Sequence, residues 1–193
     1  MDYNKEMKNI INIHKGSNIL LHSCCGPCSS SVIEKLSPYF DVTVLFYNPN
    51  IEPKEEYFKR KAEQVKLLKI LKIKYLDIDY LNDEYQEAIK GYEKEPENGR
   101  RCLLCYELRL NKTARVAKEN NFNLFTTTLT VSPYKNSKII NELGIKIGKE
   151  NNILYLISDF KKEDGYKRSI ELSKKYNIYR QDYCGCILSK RSI

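Results

Sequence analysis

No stretch of eighteen consecutive apolar residues occurs in the 193-residue sequence, so it offers no candidate membrane-spanning helix. The opening segment MDYNKEMKNIINIHK lacks the apolar centre and small-residue cleavage site of a secretory signal. Linkers, low-complexity tracts and internal repeats are also absent. One domain over residues 1–193 is therefore expected, with 1–16 as an N-terminal extension to which no role is assigned. Together these absences lead us to expect a cytoplasmic protein with no membrane partner. Thiols in a reducing compartment are seldom structural disulfides and more often metal ligands or redox groups.

Seven cysteines are present, an odd number that excludes complete intramolecular pairing. They form three clusters: Cys24, Cys25 and Cys28; Cys102 and Cys105; Cys184 and Cys186. Inert buried thiols would be scattered instead. The hydrophobic fraction of 41% is enough for one sizeable core. The net charge of +8, from 33 Lys and Arg against 25 Asp and Glu, suits a polyanionic partner such as nucleic acid. An AT-rich genome gives the same Lys-, Asn- and Ile-rich composition, so charge alone does not establish an RNA partner.

Apolar and β-branched runs at 17–23, 41–47, 74–80, 122–130 and 152–160 read as strands. Between them lie segments of helical spacing: SSSVIEKL opened by capping-type serines, EEYFKRKAEQVKLLKILK, DEYQEAIKGYEKEP, RRCLLCYELRLNKTARVAKENN and the helix within SPYKNSKIINELGIKIGKE. RSIELSKKYN follows the last strand. Alternation of this kind predicts an α/β fold, a Rossmann-like parallel sheet with helices on both faces. The cysteine-rich loops would lie at the carboxyl ends of strands, where such sheets bind ligands.

A CxxC on the first turn of a helix points both sulfurs to one side, and the helix N-terminus is expected to lower their pKa. Two thiol loci supply the four thiolates that structural zinc or an iron–sulfur cluster requires. The adjacent Cys24 and Cys25 suit different irons of a cluster better than a zinc knuckle, which favours iron–sulfur. Cys184-Gly185-Cys186 is a different object: a CxC pair can close a strained disulfide of catalytic or regulatory type, or else supply further metal ligands. His22 is a candidate donor to a cluster sulfur or a packed strand-end residue. Tyr106 and Tyr183 could stack on bases or supply a proton, and Arg100, Arg101, Arg109 and Arg180 could meet RNA phosphate, with solvated charge the default for each. Asp159 and Asp182 are candidate acids or hard metal ligands.

Six ordered blocks, HSCCGPC (22–28), FYNPNIEPKEEY (46–57), NGRRCLLCYELRL (98–110), FTTTLTVSPYK (125–135), DFKK (159–162) and YRQDYCGC (179–186), resemble the cobalamin-independent epoxyqueuosine reductases, QueH.

 The match runs in order from about residue 18 to 189. The resemblance implies an enzyme that reduces the epoxide of epoxyqueuosine, at the wobble position of tRNA anticodons, to queuosine. It further implies a [4Fe-4S] cluster on Cys24, Cys25, Cys102 and Cys105, a redox-active pair at Cys184 and Cys186 in a C-terminal tail (179–193) packed at the active site, and no cobalamin. Cys28 is left with an open role, an additional iron with Asp159 as co-ligand being one assignment. The partners implied are tRNA carrying epoxyqueuosine and an unidentified electron donor. Two competing readings are a zinc-stabilised tRNA-binding module and an ATP-dependent tRNA-thiolating enzyme on a nucleotide-hydrolase-like (HUP-like) scaffold. The second is disfavoured because CCGPC stands where an SGGxDS-type loop would be.

Overall fold

The computed structural model describes residues 2–189, and positions 190–193 of the expected C-terminal tail lie outside the described residues. Five parallel strands form one sheet in the order β3-β2-β1-β4-β5: β1 (Asn18–His22), β2 (Asp41–Leu45), β3 (Lys74–Leu76), β4 (Leu124–Thr127) and β5 (Leu154–Tyr155). Central β1 places His22 opposite Leu45 on one side and Thr127 on the other. The chain leaves β1 toward β2 and later returns to lay β4 on its other edge. The gap between β1 and β4 is therefore the switch point at which such sheets hold ligands.

Alternation along β1 divides the core. Ile19 and Leu21 face a layer containing Val32, Leu36, Leu68 and Phe160, from α2 (Gly26–Leu36), α3 (Lys54–Leu71) and the chain after β5. Leu20 faces the opposite layer with Tyr106, Leu110 and Ala114 of α5 (Arg100–Glu119) and Ile140 and Ile147 of α6 (Ser137–Glu150). Truncating Leu20 or Leu21 to Ala would cost about 2–5 kcal/mol in such fully buried positions. The close packing of α6 on β5 depends on Gly144, where a Cβ would lie 2.4 Å from the Tyr155 ring. Among the described residues, no helix is long and apolar enough to cross a membrane.

Several boundaries differ from those read in the sequence. The serines expected to cap α2 lie inside it, because the helix begins at Gly26-Pro27 with Cys25 as its extended N-cap residue. Their hydroxyls bond back to the preceding turn, Ser29 to Cys25 O and Ser30 to Pro27 O. The apolar run at 122–130 turns into a 3-10 helix at Thr128–Val131, and only Leu154–Tyr155 of 152–160 pair as strand. The opening residues form α1 (Tyr3–Ile13), capped by Asp2, whose Met7 and Ile11 enter the first core layer. The short helices α4 (Asn82–Ala88) and α7 (Gly165–Lys175) complete the set used below.

Candidate active site

The first thiol cluster sits at the switch point because both strand ends hold it there. Ser23 N–H donates to Leu45 O at 2.8 Å, the last sheet-like bond of the segment. One residue on, Cys24 N–H donates to Thr128 Oγ1 at 3.0 Å, and that hydroxyl lies 3.2 Å from Cys24 Sγ. The chain then turns at Cys25 into α2, which returns Cys28 to the same place. The sulfurs of Cys24, Cys25 and Cys28 lie within 4.8 Å of one another, with Cys24 and Cys25 3.8 Å apart. Gln64 of α3 braces the loop by accepting from Ser23 and Ser29 at 2.6 and 2.8 Å.

The second cluster lies at the start of α5, with Cys102 on the first turn and Cys105 one turn later. Asn98 N–H donates to Cys102 Sγ at 3.3 Å. A further turn along, Arg109 is 2% exposed, and its guanidinium reaches Cys105 Sγ at 3.9 Å and donates to Asn48 Oδ1 at 2.6 Å. Asn48 is fixed in turn by donating to Ser23 O at 2.8 Å. Among the described residues Arg109 has no carboxylate partner within salt-bridge distance, although Cys105, Cys24 and Cys184 all favour its charge against the cost of burial. His22 lies beneath it, with Nδ1 2.8 Å from Thr127 Oγ1 and Nε2 3.0 Å from Tyr47 O. Burial, with Arg109 nearby, pushes His22 down to about 3, so the ring is neutral and its nitrogens serve the strand ends.

The third cluster is packed beside the second. Gly185 has φ +114°, and a Cβ there would lie 2.9 Å from Ile51 Cγ1, so the turn requires glycine. Gly185 O accepts from Glu52 N–H at 2.9 Å, and Arg60 of α3 donates to the carbonyls of Tyr183 and Cys184 at 3.4 Å. The Arg60 guanidinium lies 4.8 Å from the centre of the Tyr183 ring, whose hydroxyl donates to Glu52 O at 2.7 Å. Cys186 is buried with Cys105, Tyr85 and Ile89, and Tyr85 donates to its sulfur at 3.0 Å. Cys184 is half-buried.

Burial decides the acidity of the two thiols on α5, contrary to the expectation that the helix N-terminus would lower it. It raises Cys102 and pushes Cys105 up to about 12. In the first cluster the thiols of Cys25 and Cys28 both donate toward Cys24, which holds Cys24 well below its ordinary value and the two donors above theirs. Lys135, in the loop after β4, is opposed by burial but held above its usual range by Cys184, Tyr106 and Cys24. It is a cation beside the thiols.

Other sequence candidates have different surroundings. The Asp159 carboxylate is 2.8 Å from Lys161 Nζ and does not join the Cys24, Cys25 and Cys28 group. Asp182, Arg100 and Arg180 are exposed. Buried Arg101 straps the C-terminal segment to α5, donating to Glu93 O and Ser189 Oγ. Tyr106 is buried in the second core layer. Sequence reasoning assigned no role to Asn48, Arg60, Tyr85, Thr128 or Lys135; Asn48, Thr128 and Lys135 fall inside resembling blocks, whereas Tyr85 has no sequence signal.

Known proteins resemble this chain in fold and in sequence. A solved structure of the U34-tRNA thiolase NcsA from Methanococcus maripaludis with its [4Fe-4S] cluster superposes with a TM-score of 0.58, covering 98% of this chain and 69% of that one. At 16% identity the likeness shows the fold alone. Epoxyqueuosine reductase QueH of Streptococcus pyogenes serotype M1 is 44% identical over 180 residues, spanning 90% of this chain and 71% of the relative. The protein of that name from Acinetobacter baylyi is 41% identical over 175 residues, 90% of this chain and 80% of the relative. The family model described as epoxyqueuosine reductase QueH matches residues 19–192, which takes in all three thiol clusters, and the chain therefore belongs to the QueH family.

Proposed function

We propose that this protein is an oxidoreductase that converts epoxyqueuosine at the wobble position of tRNA to queuosine. Removal of the epoxide oxygen as water consumes two electrons and two protons. Oxidation of the Cys184 and Cys186 thiols to a disulfide releases two electrons and two protons, so the reaction balances within one dithiol turnover. An electron donor must then restore the thiols.

The observation that carries this reading is the burial of Cys186 in one cluster with Cys105, whose sulfur lies beside the Arg109 guanidinium. A buried cation among thiols has an unmet need for negative charge, and thiolates of an anionic metal centre meet it. The donor set therefore fits an iron–sulfur group: Cys24, Cys25, Cys102 and Cys105 would hold a [4Fe-4S] cluster, and Cys28, the remaining thiol of the first group, would be free to serve an additional iron. When bound, the cluster supplies one-electron transfer between donor and substrate. The protein's own residues fix the sulfurs, through Thr128 and Gln64 at the first cluster and through Arg60 and Glu52 at the third. Lys135 supplies positive charge where the epoxide oxygen becomes anionic. The basic chain suits an anticodon loop, read by aromatic stacking with Lys and Arg on the backbone, in the cytoplasm. Membership of the family favours neither the zinc-stabilised module nor the thiolating enzyme.

The test is anaerobic purification with iron and sulfide analysis, followed by incubation with epoxyqueuosine-containing tRNA and mass spectrometry of its nucleosides. Loss of one oxygen from the modified base, abolished in Cys184→Ser at unchanged iron content, is the expected result. A zinc protein without sulfide, inert toward that tRNA after reconstitution, would overturn the proposal.

A further inference from the structure

We propose that Tyr85 is a positioning residue of the redox pair: its hydroxyl holds the Cys186 sulfur against Cys105 and leaves Cys184 as the substrate-facing thiol. This rests on the dithiol reading above and assigns unequal roles to its two members.

The asymmetry is visible in the surroundings. Cys186 is 5% exposed and its sulfur accepts the Tyr85 hydroxyl at 3.0 Å, whereas Cys184 is half-buried and is held through its backbone carbonyl by Arg60. Gly185 lies between them, its own carbonyl anchored by Glu52 N–H. Tyr85 is 1% exposed and shares one buried wall with Ile89, Cys105 and Cys186. A hydroxyl taken out of water must recover a partner, and here that partner is sulfur.

The placement of Tyr85 is fixed by its helix. Asn82, at the start of α4, donates to Pro49 O at 2.7 Å, and Glu84 accepts from the Tyr47 hydroxyl and from Lys112 Nζ at 3.3 Å. The ring therefore enters the wall from an anchored turn. Reduced sulfur, above all thiolate, accepts a hydrogen bond better than disulfide sulfur. The Tyr85 hydroxyl consequently stabilises the dithiol over the disulfide, and a couple whose reduced form is stabilised is the more oxidising one. Tyr85 itself is neither oxidised nor reduced. As the S–S bond forms, the two thiols give up two electrons and two protons, and the epoxide takes up the same number as its oxygen leaves as water.

Tyr85→Phe in the cluster-loaded enzyme removes only the hydroxyl. Equilibration of wild type and variant with a graded thiol–disulfide buffer, followed by alkylation and mass spectrometry, reads the couple and the order in which the two sulfurs react. The expected result is a roughly tenfold shift toward disulfide, about 30 mV downward, with faster alkylation of Cys186, unchanged iron content and slower turnover. Tyr75→Phe, which removes the hydroxyl of an exposed tyrosine on β3, should leave the potential unchanged. If wild type forms the Cys184–Cys186 disulfide but Tyr85→Phe keeps both its potential and its alkylation order, the role of Tyr85 is refuted and the dithiol stands. If wild type forms no such disulfide in any buffer, the dithiol reading itself falls.

Discussion

Arg109 donates to the side-chain oxygen of Asn48 at 2.6 Å, and through Asn48 a cation on α5 is tied to the loop that begins the first thiol cluster. The bond joins two thiol loci widely separated in sequence. A charged hydrogen bond of this kind contributes about 1.5–3 kcal/mol, so Asn48→Ala and Arg109→Met should each destabilise the chain by about that much. Because they share a partner, the double variant should lose less than the sum, with a coupling of about 0.5–3 kcal/mol. Denaturant titration of all four proteins checks this; strict additivity would show that the pair does not act as a unit.

Glu163 collects Lys8 of α1 at 2.7 Å, Lys35 of α2 at 2.8 Å and Asn4. Bonds from Lys35, then Lys8 and Asn4, hold its carboxyl down to about 2. A depressed carboxylate stabilises the folded state above its ordinary range, and that contribution is lost as pH falls toward 2. The pairs are exposed, so solvent and salt screening keep each contribution small. Glu163→Gln should therefore lower Tm by a few degrees at neutral pH and low salt, converging with wild type in acid. A thermal-melt series across pH and salt checks this. An equal deficit at every pH would mean that packing, not charge, is lost.

Much of the sheet was legible because buried parallel strands are short apolar runs bounded by turn residues, as at Asn18–His22 and Asp41–Leu45. The position of Cys102 on a first helical turn was legible as well, since Gly99 stops the preceding segment and starts α5. What escaped was set by tertiary contact. α1 has polar faces and only two buried residues, so its role in the core depends on neighbours that sequence spacing does not reveal. Tyr85 is one of fifteen tyrosines and gains meaning only from the Cys186 sulfur opposite it. The helix-end argument for Cys105 was outweighed by burial, which becomes visible only once the chain is folded.

The acidity of the thiols fixes how metal loading responds to pH. Cys105, through burial, and Cys25, through its bond to Cys24, are both held up at about 12 and so carry protons at neutral pH in the metal-free chain. Binding as thiolates must expel those protons, and apparent affinity rises about tenfold per pH unit for each proton released. Anaerobic reconstitution between about pH 6 and 8 should improve steadily with pH, with proton release measurable in weakly buffered solution. A pH-independent loading curve would mean that these two thiols are already ionised or are not ligands.

Lys135 separates electrostatic catalysis from proton donation. Burial disfavours its charge, yet Cys184, Tyr106 and Cys24 together hold it above its ordinary value, so the ammonium keeps its proton throughout the neutral range. A group that holds its proton so tightly is a weak acid but a constant positive charge. Its expected contribution is stabilisation of negative charge on the opening epoxide, for which loss of one preorganised group costs on the order of 10²–10³ in kcat. Lys135→Met should show that loss at unchanged iron content, Lys135→Arg should recover part of it, and the wild-type pH profile should contain no step assignable to this residue. Single-turnover rates on epoxyqueuosine-containing tRNA measure the effect directly. Full activity in Lys135→Met would place the developing charge elsewhere, whereas a wild-type activity step near neutral pH that vanishes in Lys135→Met would make it the proton donor after all.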